Sequence, residues 1–137
     1  MCMNYLLDDP QLKDRLYFTK NHEWVFLDGR IAYIGITEYK CAPCKEGPAF
    51  EMSSIFTYKH EGTAYGKVRC GELFIDINMP VSGKLVQVNR QLLTKQNLDF
   101  KSIRVPDNWL GMILSDEVST SDLLSPQAYL EVLASKQ

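Results

Sequence analysis

The chain has 137 residues, of which 45% are apolar and 11% aromatic, enough to build one packed domain and too much for a disordered chain. Fifteen Lys and Arg against seventeen Asp and Glu give a formal net charge of −2, which argues against a phosphate-tracking nucleic-acid binder or a polybasic membrane surface. Apolar runs such as Trp24 to Leu27 and Leu73 to Ile75 fall far short of the roughly 20 residues of a membrane span or the roughly 7 to 15 of a signal peptide, so a cytoplasmic protein is expected.

Residues 1–15 mix Leu6, Leu7 and Leu12 with acidic residues and Pro10, which suits a short packed arm or a single helical turn, and 16–137 are expected to form a single domain. From Leu16 onward the texture turns aromatic and β-branched. Asp28-Gly29 falls between two strand-like runs and predicts a hairpin with strands near 23–27 and 31–36. Thr37 is a candidate cap for a short helix from Glu38, which Pro43, Gly47 and Pro48 would stop. Between Ser53 and Asn89, short β-prone runs alternate with glycines at 62, 66, 71 and 83, the pattern of an all-β unit with tight turns. Pro80 and Gly83 bracket one turn, after which Val86 and Val88 share a strand face opposite Gln87. The segment after Asn89 suits a short helix or irregular chain, and Trp109 to Leu114 one more strand. Ser125 and Pro126 are a cap and first-turn pair for a terminal helix with Ala128, Tyr129, Val132 and Leu133 on one face.

Three ordered blocks resemble a known family. YFTKNHEWV followed by IGITEY, within Tyr17 to Tyr39, is similar to the Y-T-x-x-H-E-W-V and G-I-T-x-Y blocks of the glycine cleavage system H protein. Met79 to Asn89 resembles its A-P-V-S-G-x-V-x-x-V-N segment, and Asn108-Trp109-Leu110 its G-W-L, with Leu124 to Leu133 standing for its closing helix. The resemblance implies a mainly β, lipoyl-domain-like hybrid barrel-sandwich with short helices and a C-terminal helix. It also implies a carrier, in which a lysine on a hairpin tip bears lipoate and the cofactor supplies the chemistry.

Aligned without a gap, Gly62, Tyr65, Gly66 and Val68 fall on the family's G-x-x-F-G-x-V, and Arg69-Cys70-Gly71-Glu72-Leu73 on the lipoyl motif E-S-V-K-A. Glu72 therefore stands at the lipoyl-lysine position, and a carboxylate cannot form the amide that a lysine amine forms. Arg69 reverses the charge of the family's glutamate. Lys59, Lys67 and Lys84 are the nearby lysines, and none matches the motif, so no cofactor is expected unless lipoate is attached at another lysine. The expected role is a non-lipoylated binding or accessory module without a catalytic site of its own. Its expected partners are proteins, among them lipoate-handling or glycine cleavage enzymes, with no nucleic acid and no membrane.

The cysteines offer a different chemistry. In a reducing compartment Cys2, Cys41, Cys44 and Cys70 are expected as free thiols, redox centres or metal ligands rather than as a disulfide framework. Cys41-Ala42-Pro43-Cys44 is a CxxC that suits a disulfide redox pair, or half of a zinc site completed by Cys70 and His60; the alternative is two buried apolar thiols. Cys70, two residues before Glu72, is either an exposed reactive thiol or a small residue in the place of the family's serine. His22-Glu23-Trp24 places an imidazole beside a carboxylate, but its recurrence in carriers favours a structural role. Glu72 with Asp76 is either an acidic tip or a pair of solvated carboxylates.

Overall fold

A computed structural model describes residues 14–37, 39–40, 49–52, 55–90, 109–116 and 120–135. Among the described residues nine strands run in chain order: β1 (Leu16–Phe18), β2 (Glu23–Asp28), β3 (Ile31–Ile36), β4 (Ala49–Met52), β5 (Thr57–Lys59), β6 (Ala64–Cys70), β7 (Leu73–Asn78), β8 (Gly83–Val88) and β9 (Gly111–Ser115). A helix, α1 (Pro126–Ser135), closes the described chain. The strands form a six-stranded sheet in the order β1-β2-β3-β9-β8-β5 and a three-stranded sheet β4-β6-β7, with antiparallel pairing throughout.

The main core lies between the sheets. Val25, Ile34, Leu85 and Ile113 from the larger sheet meet Tyr65, Val68 and Ile77 from the smaller one, all fully buried. On the other face of β1 and β2, Leu16, Phe18 and Trp24 pack beneath Tyr129 and Leu133 of α1. Strand β2 is thus covered on both faces, which is why Trp24 to Leu27 is an unbroken apolar run without a clean alternation. Ser125 Oγ accepts the Ala128 N–H at 3.1 Å, so the expected cap is present, and Pro126, Tyr129 and Leu133 form the buried stripe.

The β2–β3 turn falls one residue later than the Asp28-Gly29 signal suggests. Asp28 pairs with Ile31, which leaves Gly29-Arg30 as the central pair, with positive φ at Gly29 alone. That is the pattern of a type II′ turn, whose strand-matched twist asks for glycine at the first central position. On β8, Gln87 is exposed while Val86 and Val88 are half-buried, beside a register shift between Leu85 and Gln87. Residues 1–13 of the expected arm 1–15, Glu38 and residues 41–48 of the expected short helix with its CxxC, and the segment 91–108 lie outside the described residues.

Tyr65 is fully buried, and its hydroxyl has no hydrogen-bond partner among the described residues. Burial and the negative charge of Glu23 together raise its phenol well above the ordinary 10.0. An unpaired buried hydroxyl costs about 1–3 kcal/mol, so Tyr65→Phe is expected to leave stability unchanged or raise it, by up to about 2 kcal/mol, in urea melts at neutral pH. With the folded-state pKa raised, the folded protein holds this proton more tightly than the unfolded chain does. Stability is therefore kept below the ordinary phenol value and lost as pH climbs above it. The phenylalanine variant should lose less stability over that alkaline range.

Candidate functional site

The hairpin of β6 and β7 holds Arg69 to Leu73, the segment that the family resemblance sets against the lipoyl motif. Cys70 pairs with Leu73, so Gly71 and Glu72 are the two turn residues. Gly71 has φ 65 and Glu72 does not share a positive φ, a second type II′ turn. Glu72 is exposed at this tip.

Alternation sorts the flanks. Lys67, Arg69, Phe74 and Asp76 are all exposed, whereas Val68 and Ile77 are buried. Registers across the sheet set Glu51, Lys67 and Asp76 in one row and Ala49, Arg69 and Phe74 in the next. Asp76 therefore faces a lysine across the strands instead of forming an acidic tip with Glu72. Lys67 Nζ also lies 5.7 Å from the centroid of the Phe74 ring. Leu73 and Phe74 are 62% and 56% exposed, so the tip presents apolar surface beside Arg69. The sequence reading missed this pair, and the signal for it was the β-prone run LFI placed directly after a turn.

Three lysines near the hairpin in sequence sit within strands: Lys59 in β5, Lys67 in β6 and Lys84 in β8. None of these three occupies a turn.

Cys70 corrects the expectation of a free, exposed thiol. It is disulfide-bonded and half-buried, because it follows Val68 by two residues and so shares its inward face. It packs against the main core. A sulfur bonded to sulfur is not the thiolate that zinc requires, so in this state Cys70 cannot complete the zinc set proposed with His60. His60 itself is exposed and stands edge-on to Tyr58, with ring centroids 5.1 Å apart. Among the described residues no three His, Cys, Asp or Glu side chains are grouped to hold a metal.

The His22-Glu23-Trp24 triplet is committed to architecture. His22, in the left-handed region at φ 65, is 2.7 Å from the Tyr129 hydroxyl through Nδ1, and that hydroxyl is 2.9 Å from Thr37 Oγ1. This chain of polar contacts ties α1 to the sheet. Trp24 Nε1 donates to the Ile36 carbonyl at 3.2 Å, and its ring covers Gly35, where a Cβ would lie 2.5 Å from Cζ2. The sequence blocks HEWV and GIT are thus two sides of one cross-strand contact. Glu23 is 2% exposed. Its carboxylate accepts from Lys40 Nζ at 3.0 Å, from the Asn78 N–H at 2.8 Å and from Thr19 Oγ1 at 3.1 Å. Asn78 ends β7, so Glu23 anchors the base of the same hairpin whose tip holds Glu72.

The family model described as Glycine cleavage H-protein matches residues 16–136. This chain belongs to that family. It is 31% identical over 118 residues to the glycine cleavage system H protein of Thermotoga maritima, covering 85% of this chain and 94% of that one. It is 31% identical over 118 residues to the H protein of Staphylococcus haemolyticus, covering 86% and 94%. The crystal structure of a glycine cleavage system H protein from Mycobacterium marinum superposes with a TM-score of 0.65 at 18% identity, covering 89% of this chain and 96% of that one. That likeness establishes the barrel-sandwich fold. No helix among the described residues is long and apolar enough to cross a membrane.

Proposed function

We propose that this chain is a glycine cleavage H-like protein that works as a non-lipoylated binding or accessory module, with Glu72 where its relatives carry the lipoyl-lysine. The observation that supports this most is Glu72 at the second position of a two-residue hairpin turn, the kind of exposed site a modifying enzyme can reach. A carboxylate there has no amine to acylate. The lysines nearby sit in strands, where side-chain direction is fixed by the pleat and by neighbours such as Glu51 and Asp76 opposite Lys67.

Without an attached arm, the surface available to partners is the hairpin itself. Leu73 and Phe74 supply exposed apolar area and Arg69 a cation in register with Phe74. Lipoate-handling or glycine cleavage enzymes, which meet this hairpin in carriers of the family, are the partners that suit it. The protein has no catalytic role of its own in this reading, and its compartment is the cytoplasm.

Intact mass with peptide mapping tests the reading after expression with a lipoyl ligase and free lipoate. No lipoyl group is expected on the wild-type chain, and stoichiometric modification at any lysine, Lys59, Lys67 and Lys84 included, would overturn the reading. Glu72→Lys restores an amine at an otherwise preserved turn. This variant is expected to gain lipoyl mass on a measurable fraction of molecules, incompletely because Arg69 remains beside the target.

A further inference from the structure

Among the described residues, six large apolar side chains stand exposed, and they fall into two groups. Leu73 and Phe74 form one, at the hairpin tip. Ile55, Phe56, Tyr58 and Leu114 form the other, around β5 and its neighbours in the larger sheet. The strand registers set Tyr58, Lys84 and Leu114 in one row. Lys84 Nζ lies 5.7 Å from the centroid of the Phe56 ring, so Phe56 shares their face. Its φ of 65 is left-handed, a conformation that bulky residues avoid, yet its ring is 64% exposed and gains little burial in return. Backbone strain that packing does not repay points to a contact surface.

We propose that two copies of this chain form a reciprocal two-fold dimer, with the hairpin tip of each seated on the β5–β8–β9 face of the other. Charge selects the occupant. The tip carries Glu72 at its turn and Arg69 in register with Phe74. The face carries Lys84 between Tyr58 and Leu114, and Asp116, whose carboxylate accepts from the Tyr58 hydroxyl. All four charged side chains are exposed, and among the described residues none of them belongs to an ion pair within the chain. Each surface thus offers one anion and one cation around apolar side chains. The tip of a second copy brings Glu72 to Lys84 and Arg69 to Asp116, while Leu73 and Phe74 cover Phe56 and Leu114. Opposite charges around an apolar contact fix both orientation and partner. Because one chain holds both surfaces, the contact is made twice about a two-fold axis, the commonest closed arrangement of homo-oligomers. The inference goes beyond the binding role and does not depend on it. A dimer of this kind covers the tip, so access of other proteins to the hairpin follows the monomer fraction.

Sedimentation velocity of the full chain over roughly 1 to 300 µM tests this, with free thiols alkylated so that no disulfide links two copies. A reversible dimer that weakens as salt rises is expected. Glu72→Arg and Lys84→Glu should each weaken it by roughly tenfold or more, because each sets like charges face to face. Mixing the two variants should restore association, since the mixed pair has one wild-type contact and one with its charges exchanged. Phe56→Gly removes the ring and relaxes the left-handed backbone, so it should weaken the dimer without lowering the melting temperature. A wild-type chain that is monomeric at every concentration would leave both surfaces to a foreign protein and overturn the proposal. So would a dimer unchanged by the charge reversals or by Phe56→Gly, or a mixture no more associated than its components.

Discussion

Gly83→Ala is expected to destabilise the protein by about 3 kcal/mol or more, because the added carbon has no direction in which to move. It would lie 2.4 Å from Ile113 Cγ2, 2.6 Å from the Leu114 carbonyl oxygen and 2.9 Å from Ser115 Cα. Two of these are backbone atoms of β9, the strand paired with β8 through Gly83 and Ser115, so relief requires prising two neighbouring strands apart. Gly71→Ala is the matched control. Nothing lies within 4 Å of its added carbon, but its φ is +65, so only the left-handed backbone cost of about 1–2 kcal/mol applies. Urea melts of the two variants should therefore differ clearly. Equal losses would mean that β9 yields at Gly83.

Lys40→Met is expected to cost about 3–5 kcal/mol at neutral pH, the range for removing one partner of a buried ion pair. Lys40 and Glu23 are 9% and 2% exposed at 3.0 Å. The Asn78 N–H and Thr19 hydroxyl that remain on Glu23 satisfy lone pairs but leave the charge uncompensated. Adding Glu23→Gln to Lys40→Met removes that charge and should recover most of the loss, because the paired ions themselves contribute little net stability. Thermal melts of the wild type, both single variants and the double variant give the coupling directly. A loss in Lys40→Met that the second change does not relieve would assign Lys40 a packing role instead.

The parts of the fold that depend on local pattern were legible in the sequence. Ser125 and Pro126 mark the helix start because capping chemistry is local, and Ile31 to Ile36 is rich enough in β-branched and aromatic residues after a turn to be read as a strand. The turn after β2 shifted by one residue because Asp28 and Gly29 both suit a turn, and only the pairing of Asp28 with Ile31 decides between them. The blocks HEWV, GIT and PVSG identified the family, yet their physical reasons are long-range. Gly35 is required by a tryptophan ring on the next strand and Gly83 by the backbone of β9, contacts that no spacing rule contains. At the hairpin, the tight turn at Gly71 was legible from the spacing of the glycines, but the rows joining Arg69 to Phe74 and Lys67 to Asp76 need the register. The inward direction of Cys70 was available from its two-residue separation from Val68. That it is joined in a disulfide was not, since sequence alone leaves the pairing of four cysteines open.

The joining of α1 to the first strands has a consequence for the order in which the molecule becomes stable during synthesis. His22 and Tyr129 meet across 107 positions of sequence, Phe18 stacks on Tyr129 at 4.3 Å, and Phe18 bridges to Leu124. The outer face of β1 and β2 emerges early from the ribosome, and its cover emerges late. Trp24 and Phe18 stay uncovered until α1 has been made, so this face of the nascent chain needs protection from aggregation in the meantime.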